Sequence, residues 1–300
     1  MNAPSAGAVY DRGYRPYEGA RGGRGASRAA LVRLSIRRAL GLRRSWRQKV
    51  LPWSLLAIAS IPAVVNVGVK YITRDTPAAD FDLITFREYV GVSTTLLLFV
   101  AVTAPDMVCP DRRNRVLPLI FARPLTGNDY VLAKVGALTA ILFGFGFLPQ
   151  VVLFVGQMFV VRGGALDFLT ENLEVLWQVP AAVALFSLYL ATLALAISAS
   201  TPRRVVGGVT VLATVLISAT VATTIVRAGN DSFFEGGSLW GLLSVIDVPL
   251  RMSDLVFLGH VDPESLVGGA PGAGIGVVLV YAATVAGSLG YLVHRYRQVP

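Results

Sequence analysis

The sequence predicts an all-α, polytopic membrane protein with six transmembrane helices. Three observations predict it. Of 300 residues, 54% are apolar and only 15% charged, against roughly 25% charged in an average soluble domain. Stretches of about 20 apolar residues recur, each long enough to cross a hydrocarbon core of roughly 30 Å. The basic residues, 27 against 18 acidic for a formal charge of +9, gather in alternate connecting segments. A soluble globular protein, a disordered basic protein and a collagen-like protein are excluded on these grounds.

The chain divides into a tail, an interfacial segment and a transmembrane domain. Residues 1–26 are rich in Gly, Arg, Ala and Tyr. Nothing there can build a core, so a disordered or peripheral cytoplasmic tail is expected. Residues 27–48 are expected to form an amphipathic interfacial helix. Leu31, Val32, Ala39, Leu42 and Trp46 share one side of a helical wheel, and Arg33, Arg37 and Arg44 lie opposite. Arg28 and Arg43 intrude on the apolar side. Such a helix suits an anionic lipid surface; a solvated basic tail is the alternative. The first apolar run starts only near Leu51, so no cleavable signal is expected.

Residues 49–300 carry the spans, expected at about 51–72, 89–108, 130–161, 179–200, 205–226 and 272–293. Pro62 would kink the first. The third is long enough to tilt or to continue beyond the bilayer. An even number of spans puts both termini on one side. With cytoplasmic termini, 21 of the 27 basic residues face inside, and only Lys70, Arg74, Arg87, Arg162, Arg227 and Arg251 face outside. The positive-inside rule selects that topology, and the reverse contradicts it. Five acidic residues (Asp11, Glu18, Asp106, Asp111, Asp129) fall inside and the other 13 outside. The arginine excess therefore reads as an orientation signal that favours the anionic inner leaflet, and not as a nucleic-acid signal. Before the last span, Phe233–His260 holds apolar pieces of about ten residues, interrupted by Asp247, Pro249, Arg251 and Asp254. Pieces that short suit a re-entrant or interfacial hairpin.

Catalytic chemistry is not expected in this chain. Cys109, His260 and His294 cannot supply the roughly four clustered ligands of a structural metal site. No serine has an evident histidine base and no carboxylate pair is evident. The three lysines, Lys49, Lys70 and Lys134, do not follow a glycine, so no phosphate-cradling G-x-x-x-x-G-K-[ST] loop exists. Gly272, Gly274 and Gly276, and the pairs Ala283/Gly287 and Ala286/Gly290, read as helix-packing positions. No span carries a central acidic residue; Lys70, Glu88 and Asp106 are expected at interfaces.

The most informative stretch is 109–134. It opens with Asp111, Arg112, Arg113 and Arg115. The apolar set Val116, Leu117, Leu119, Ile120 and Phe121 follows, then Arg123-Pro124-Leu125 and the polar turn Thr126–Asp129. Charge for orientation beside apolar anchors is what a short docking helix needs. The run Asp111, Arg112–Arg113, Leu117-Pro118-Leu119, Arg123-Pro124-Leu125, Tyr130, Lys134 resembles the cytoplasmic loop of type-2 ABC transporter permeases. The opening Tyr14-Arg15-Pro16-Tyr17-Glu18-Gly19 is similar to the lead segment of actinobacterial members. Cys109-Pro110 departs from the small or polar residues common there.

The resemblance implies a membrane subunit of an ATP-driven exporter in the plasma membrane. It implies a coupling helix that uses Asp111, Arg112, Arg113, Arg115, Leu117, Leu119, Ile120 and Arg123. It implies two copies of a separate cytoplasmic ABC ATPase, which would hold the ATP and Mg, and a second permease chain, identical or paralogous. No cofactor is expected in this chain. Thr210, Thr214 and Ser218, spaced every four residues on one face of the fifth span, are with Asn66 the candidates for a weakly polar substrate pathway. Alternatively, small hydroxyls bond along their own helix and aid packing. Two other functions stay open: a membrane scaffold or regulatory subunit, and an ATP-independent secondary transporter.

Overall fold

A computed structural model describes residues 22–42, 46–74, 76, 84–91, 94–122, 125–161, 164–230 and 238–297. Among the described residues all regular structure is helical. Six helices are long and apolar enough to cross a membrane: Pro52–Thr73, Phe86–Arg113, Gly127–Val160, Val175–Ala199, Arg204–Ala228 and Ala273–Arg297.

Helix α1 (Arg24–Ala39) precedes the spans and carries Arg37 and Arg38 in its last turn, where positive charge complements the helix dipole. Gly41 then takes a left-handed conformation, φ +66°. Its N–H bonds the Arg38 carbonyl at 3.1 Å, and the Leu42 N–H bonds that of Arg37 at 2.8 Å. This pair of bonds is a Schellman ending, which favours glycine. The helix expected over 27–48 is thus corrected: it starts at Arg24 and stops at Ala39, and Trp46 already belongs to α2 (Trp46–Thr73). Residues 1–21 of the expected tail, with Arg43 and Arg44, lie outside the described residues. Helix α2 runs through Pro62 without a break.

The second span comprises α3 (Phe86–Gly91) and α4 (Thr94–Arg113). It reaches past the expected end at 108, through Pro105 and Pro110. A proline costs a helix one N–H bond, here the one to the Asp106 carbonyl, and need not end it when tertiary contacts hold the next turn. Then come α5 (Leu117–Phe121), α6 (Gly127–Val160), the short α7 (Ala165–Glu171), α8 (Val175–Ala199) and α9 (Arg204–Asn230). A 3-10 turn (Leu239–Leu243), α10 (Asp247–Leu258) and α11 (Ala273–Arg297) complete the order. The apolar stretch before the last span is therefore a tight turn and one helix, closed by left-handed Gly259.

Helices α4, α6 and α8 form the centre. In their most apolar windows α8 is 61% buried, whereas α2 is 11% and α11 17% buried. Phe99 stacks on Phe145 with centroids 4.4 Å apart, and Met107, Leu138, Leu142 and Leu195 are buried around them. Helix α9 crosses α4 closely because residue 208 is glycine: a Cβ there would lie 2.6 Å from the Ala101 carbonyl oxygen. Gly276, as expected, packs near Leu242. Among the described residues, no other element packs against Gly287 or Gly290 of the pairs Ala283/Gly287 and Ala286/Gly290. Beyond their own helix backbone, no atom of the described residues stands within 4 Å of where a Cβ at either would sit, and their helix face is exposed.

Candidate functional site

The residues expected to dock a partner surround the junction of α4, α5 and α6. Helix α4 ends in the same hydrogen-bond pattern as α1. The Arg115 N–H bonds the Arg112 carbonyl at 3.2 Å, and the Val116 N–H bonds that of Asp111 at 3.1 Å. Here the left-handed residue is an arginine, Arg115, with φ +50°. The ending puts Asp111 in the last full turn, against α6 and α1. Its side chain is 5% exposed. Oδ2 receives Lys134 Nζ at 2.8 Å and the Tyr130 hydroxyl at 2.9 Å. Oδ1 receives Arg38 Nη1 at 2.9 Å. Lys134 Nζ also donates to the Met107 carbonyl at 2.8 Å. A buried charge is tolerated when it is paired and hydrogen-bonded in this way.

A second clamp lies at the start of α6. Thr126 and Asp129 form a reciprocal capping box, the arrangement that satisfies two free N–H groups of a helix start. Asp129 then holds α1: Arg24 Nε reaches its Oδ2 at 2.7 Å and Arg28 pairs with its Oδ1. Arg24 Nη2 also donates to Thr126 Oγ1 at 3.0 Å. The intrusion of Arg28 on the apolar side of the wheel has its reason here. Sequence reasoning missed this role of Arg24, Arg28 and Arg38. The one available signal was that misplaced arginine.

The expected coupling residues split into two groups. Asp111 and Leu117 are buried, and the Arg112 guanidinium donates to the Ala199 carbonyl at the end of α8. These three, expected among the coupling residues, make contacts inside the junction. The charged cluster is the last turn of a helix, so its residues point in different directions. Arg113 and Arg115 are exposed, Ile120 is half-buried and Leu119 is 72% exposed. Arg123 lies outside the described residues. Cys109 is buried and its thiol donates to the Thr201 carbonyl at 3.3 Å. Its place in the sequence, unusual for the resemblance, is a contact between the ends of α4 and α8. Arg204 pairs with Asp106 beside it.

The candidate pathway residues sit on two helices that both pack on α4: α2 also packs on α6, and α9 on α8 and the 3-10 turn. Asn66 is buried and donates Nδ2 to the Ile84 carbonyl at 2.8 Å. Thr210 and Thr214 donate to the carbonyls of Val206 and Thr210, each at 2.8 Å. Ser218 donates to Val215 at 3.0 Å and accepts the Val245 N–H at 3.2 Å, tying α9 to the segment before α10. These bonds match the alternative in which hydroxyls serve their own helix and its packing.

At the other end of the second span, a further ion cluster went unnoticed in the sequence. Arg87 on α3 reaches Asp254 at 3.8 Å and Asp262 at 3.0 Å, and Arg251 pairs with Asp254 at 2.7 Å. Burial pushes the Asp254 carboxyl above its ordinary value, against the pull of Arg251 and Arg87. The Glu264 N–H, bonded to Asp262 Oδ1 at 3.0 Å, holds the Asp262 carboxyl below its ordinary value, with help from Arg87.

No family model matches the chain, and no curated protein matches it.

Proposed function

We propose that the chain is the membrane subunit of an ATP-driven transporter of the type-2 ABC permease kind. In this reading it lies in the plasma membrane with both termini cytoplasmic and moves its substrate outward. The observation that carries the proposal is the exposed edge at α5: Leu119, 72% exposed, close in sequence to the exposed Arg113 and Arg115. An apolar anchor with cations to orient it suits a groove on a soluble partner. It stands between the second and third apolar helices, in one of the connecting segments rich in basic residues. ATP hydrolysis falls to that partner, since the sequence carries no phosphate loop. The exposed apolar faces of α9 and α11 would meet lipid or a second permease chain, and the 3-10 turn with α10 would form the hairpin at the outer interface.

The test is gentle detergent purification of the tagged chain, with mass spectrometry of what accompanies it. A subunit with a phosphate loop should co-purify; its absence under several mild conditions overturns the proposal. Arg113→Glu with Arg115→Glu should weaken that association by about tenfold or more without changing membrane insertion. Unchanged association removes α5 as the dock.

A further inference from the structure

A cleft of about 570 Å³ opens between α1 and α5. Arg33, Arg37 and Arg38 line it from α1 and Lys134 from α6, with Asp111 as the acidic residue of the lining. Asp111 is already engaged by Arg38 and Lys134. Arg33 and Arg37 are exposed and make no ion pair among the described residues. The cleft therefore carries an uncompensated positive charge. Ser35 also lines it. This residue is 2% exposed, and its Oγ has no hydrogen-bond partner among the described residues. A buried hydroxyl without a partner is costly, and an acceptor in the cleft removes that cost. The rim is apolar: Leu34 is 57% and Leu119 72% exposed. The cleft lies where α4 ends and α6 begins, on the basic side of the molecule, the level of inner-leaflet headgroups in the topology that charge selects.

We propose that this cleft binds the phosphate headgroup of one anionic phospholipid. Arg33 and Arg37 take the phosphate oxygens in charge-assisted hydrogen bonds, and Ser35 donates to a third acceptor. The acyl chains leave over Leu34 and Leu119. A free phosphate would satisfy the cations but make no use of the leucines. The lipid would bridge α1 to α5, so the lipid composition of the inner leaflet would set how firmly the loop helix is held. The inference does not rest on the ATPase reading, and its test needs no second subunit.

The test uses the full chain in mild detergent, titrated separately with phosphatidylglycerol, phosphatidylcholine and glycerol phosphate, with bound molecules counted by native mass spectrometry. One phosphatidylglycerol should be retained at saturation, and phosphatidylcholine should be bound more weakly by about tenfold or more. Arg33→Gln with Arg37→Gln should lower phosphatidylglycerol affinity by about tenfold or more, and Ser35→Ala by roughly threefold. Lys49→Gln with Arg203→Gln removes the same charge from exposed sites elsewhere and should change nothing. Equal losses in both double variants mean diffuse surface attraction and overturn the site. So does unchanged binding after loss of Arg33 and Arg37. Glycerol phosphate binding as tightly as phosphatidylglycerol overturns the lipid as occupant.

Discussion

Two ion clusters hold accessory helices against the second span, one at each of its ends, and they differ in wetness. At the α4 end, the side chains of Asp111 and Lys134 are each 5% exposed and that of Asp129 is 1% exposed. The arginines that reach them from α1 are 31–52% exposed, so the dry part is the Asp111–Lys134 pair and the Asp129 carboxylate. At the α3 end Asp254 is also dry, at 7%, but no cation beside it is: Arg251 is 17% and Arg87 27% exposed, and Asp262 is 22% exposed. A dry cluster holds its geometry but becomes costly when one member is lost, because the other stays buried and charged. A wetter cluster loses less and responds more to pH. The molecule thus has a rigid end, which anchors α1 and the base of α5, and a softer end, which anchors α10.

Breaking the dry cluster should have the largest effect. Asp111→Ala leaves Lys134 buried without its carboxylate and should cost about 3–5 kcal/mol, read by unfolding in detergent. Adding Lys134→Met should recover much of that loss. A single-variant cost below about 1 kcal/mol would mean water reaches the pair, and the contrast between the ends would collapse. Asp129→Ala removes the capping box and both arginine contacts to α1. It should cost about 1–2 kcal/mol and raise hydrogen exchange across 24–39 while leaving α8 protected. Arg87→Met at the wetter end should cost no more than about 1 kcal/mol and loosen α10 selectively.

The smallest effect sharpens the comparison by its sign. Asp254 has a raised value in the fold, so its contribution to stability is present below the ordinary carboxylate range and lost as pH rises through the folded value. Asp262 has a lowered value, so its contribution is present above that range and lost as pH falls through the folded value. As pH rises through and above about 4, the stability advantage of the natural chain over Asp254→Asn should shrink. Its advantage over Asp262→Asn should grow. Each change should be roughly a few tenths of a kcal/mol, measured as unfolding midpoints against pH. Changes of the same sign would show that burial does not outweigh the pull of Arg251 and Arg87 at Asp254.

The six long helices were legible because run length and hydropathy are local properties. Their ends were less so. The second span has its expected end at 108, yet α4 continues to Arg113, because Lys134 and Arg38 meet Asp111 from distant positions and no spacing rule reveals that meeting. The break in the interfacial helix had a visible marker, Gly41, which the charge pattern on either side concealed. The matching break at Arg115 had none, since nothing about an arginine announces a left-handed backbone. In the expected docking set, composition gave the sign of each charge but not its direction. Asp111 and Arg112 turned inward, and Arg113 and Arg115 outward. Similarly, four-residue spacing put Thr210 and Thr214 on one face, but the same spacing lets each hydroxyl reach the carbonyl one turn back.

The arginine at that break has a mechanical meaning. A side chain in the left-handed region costs roughly 1–2 kcal/mol relative to the right-handed one, so the joint between α4 and α5 is held under tension that a glycine would release. On its far side α5, of five residues, makes a lever about 7.5 Å long, with Leu119 on its free edge. If α5 docks a partner as proposed, a force on Leu119 would arrive at Arg115 as torque, and the hydrogen bond from Val116 would pass it to the Asp111 backbone. The carboxylate of that residue grips α6 and α1 together. In that reading, one turn of chain would be the drive shaft between the partner on α5 and the interior of the bundle.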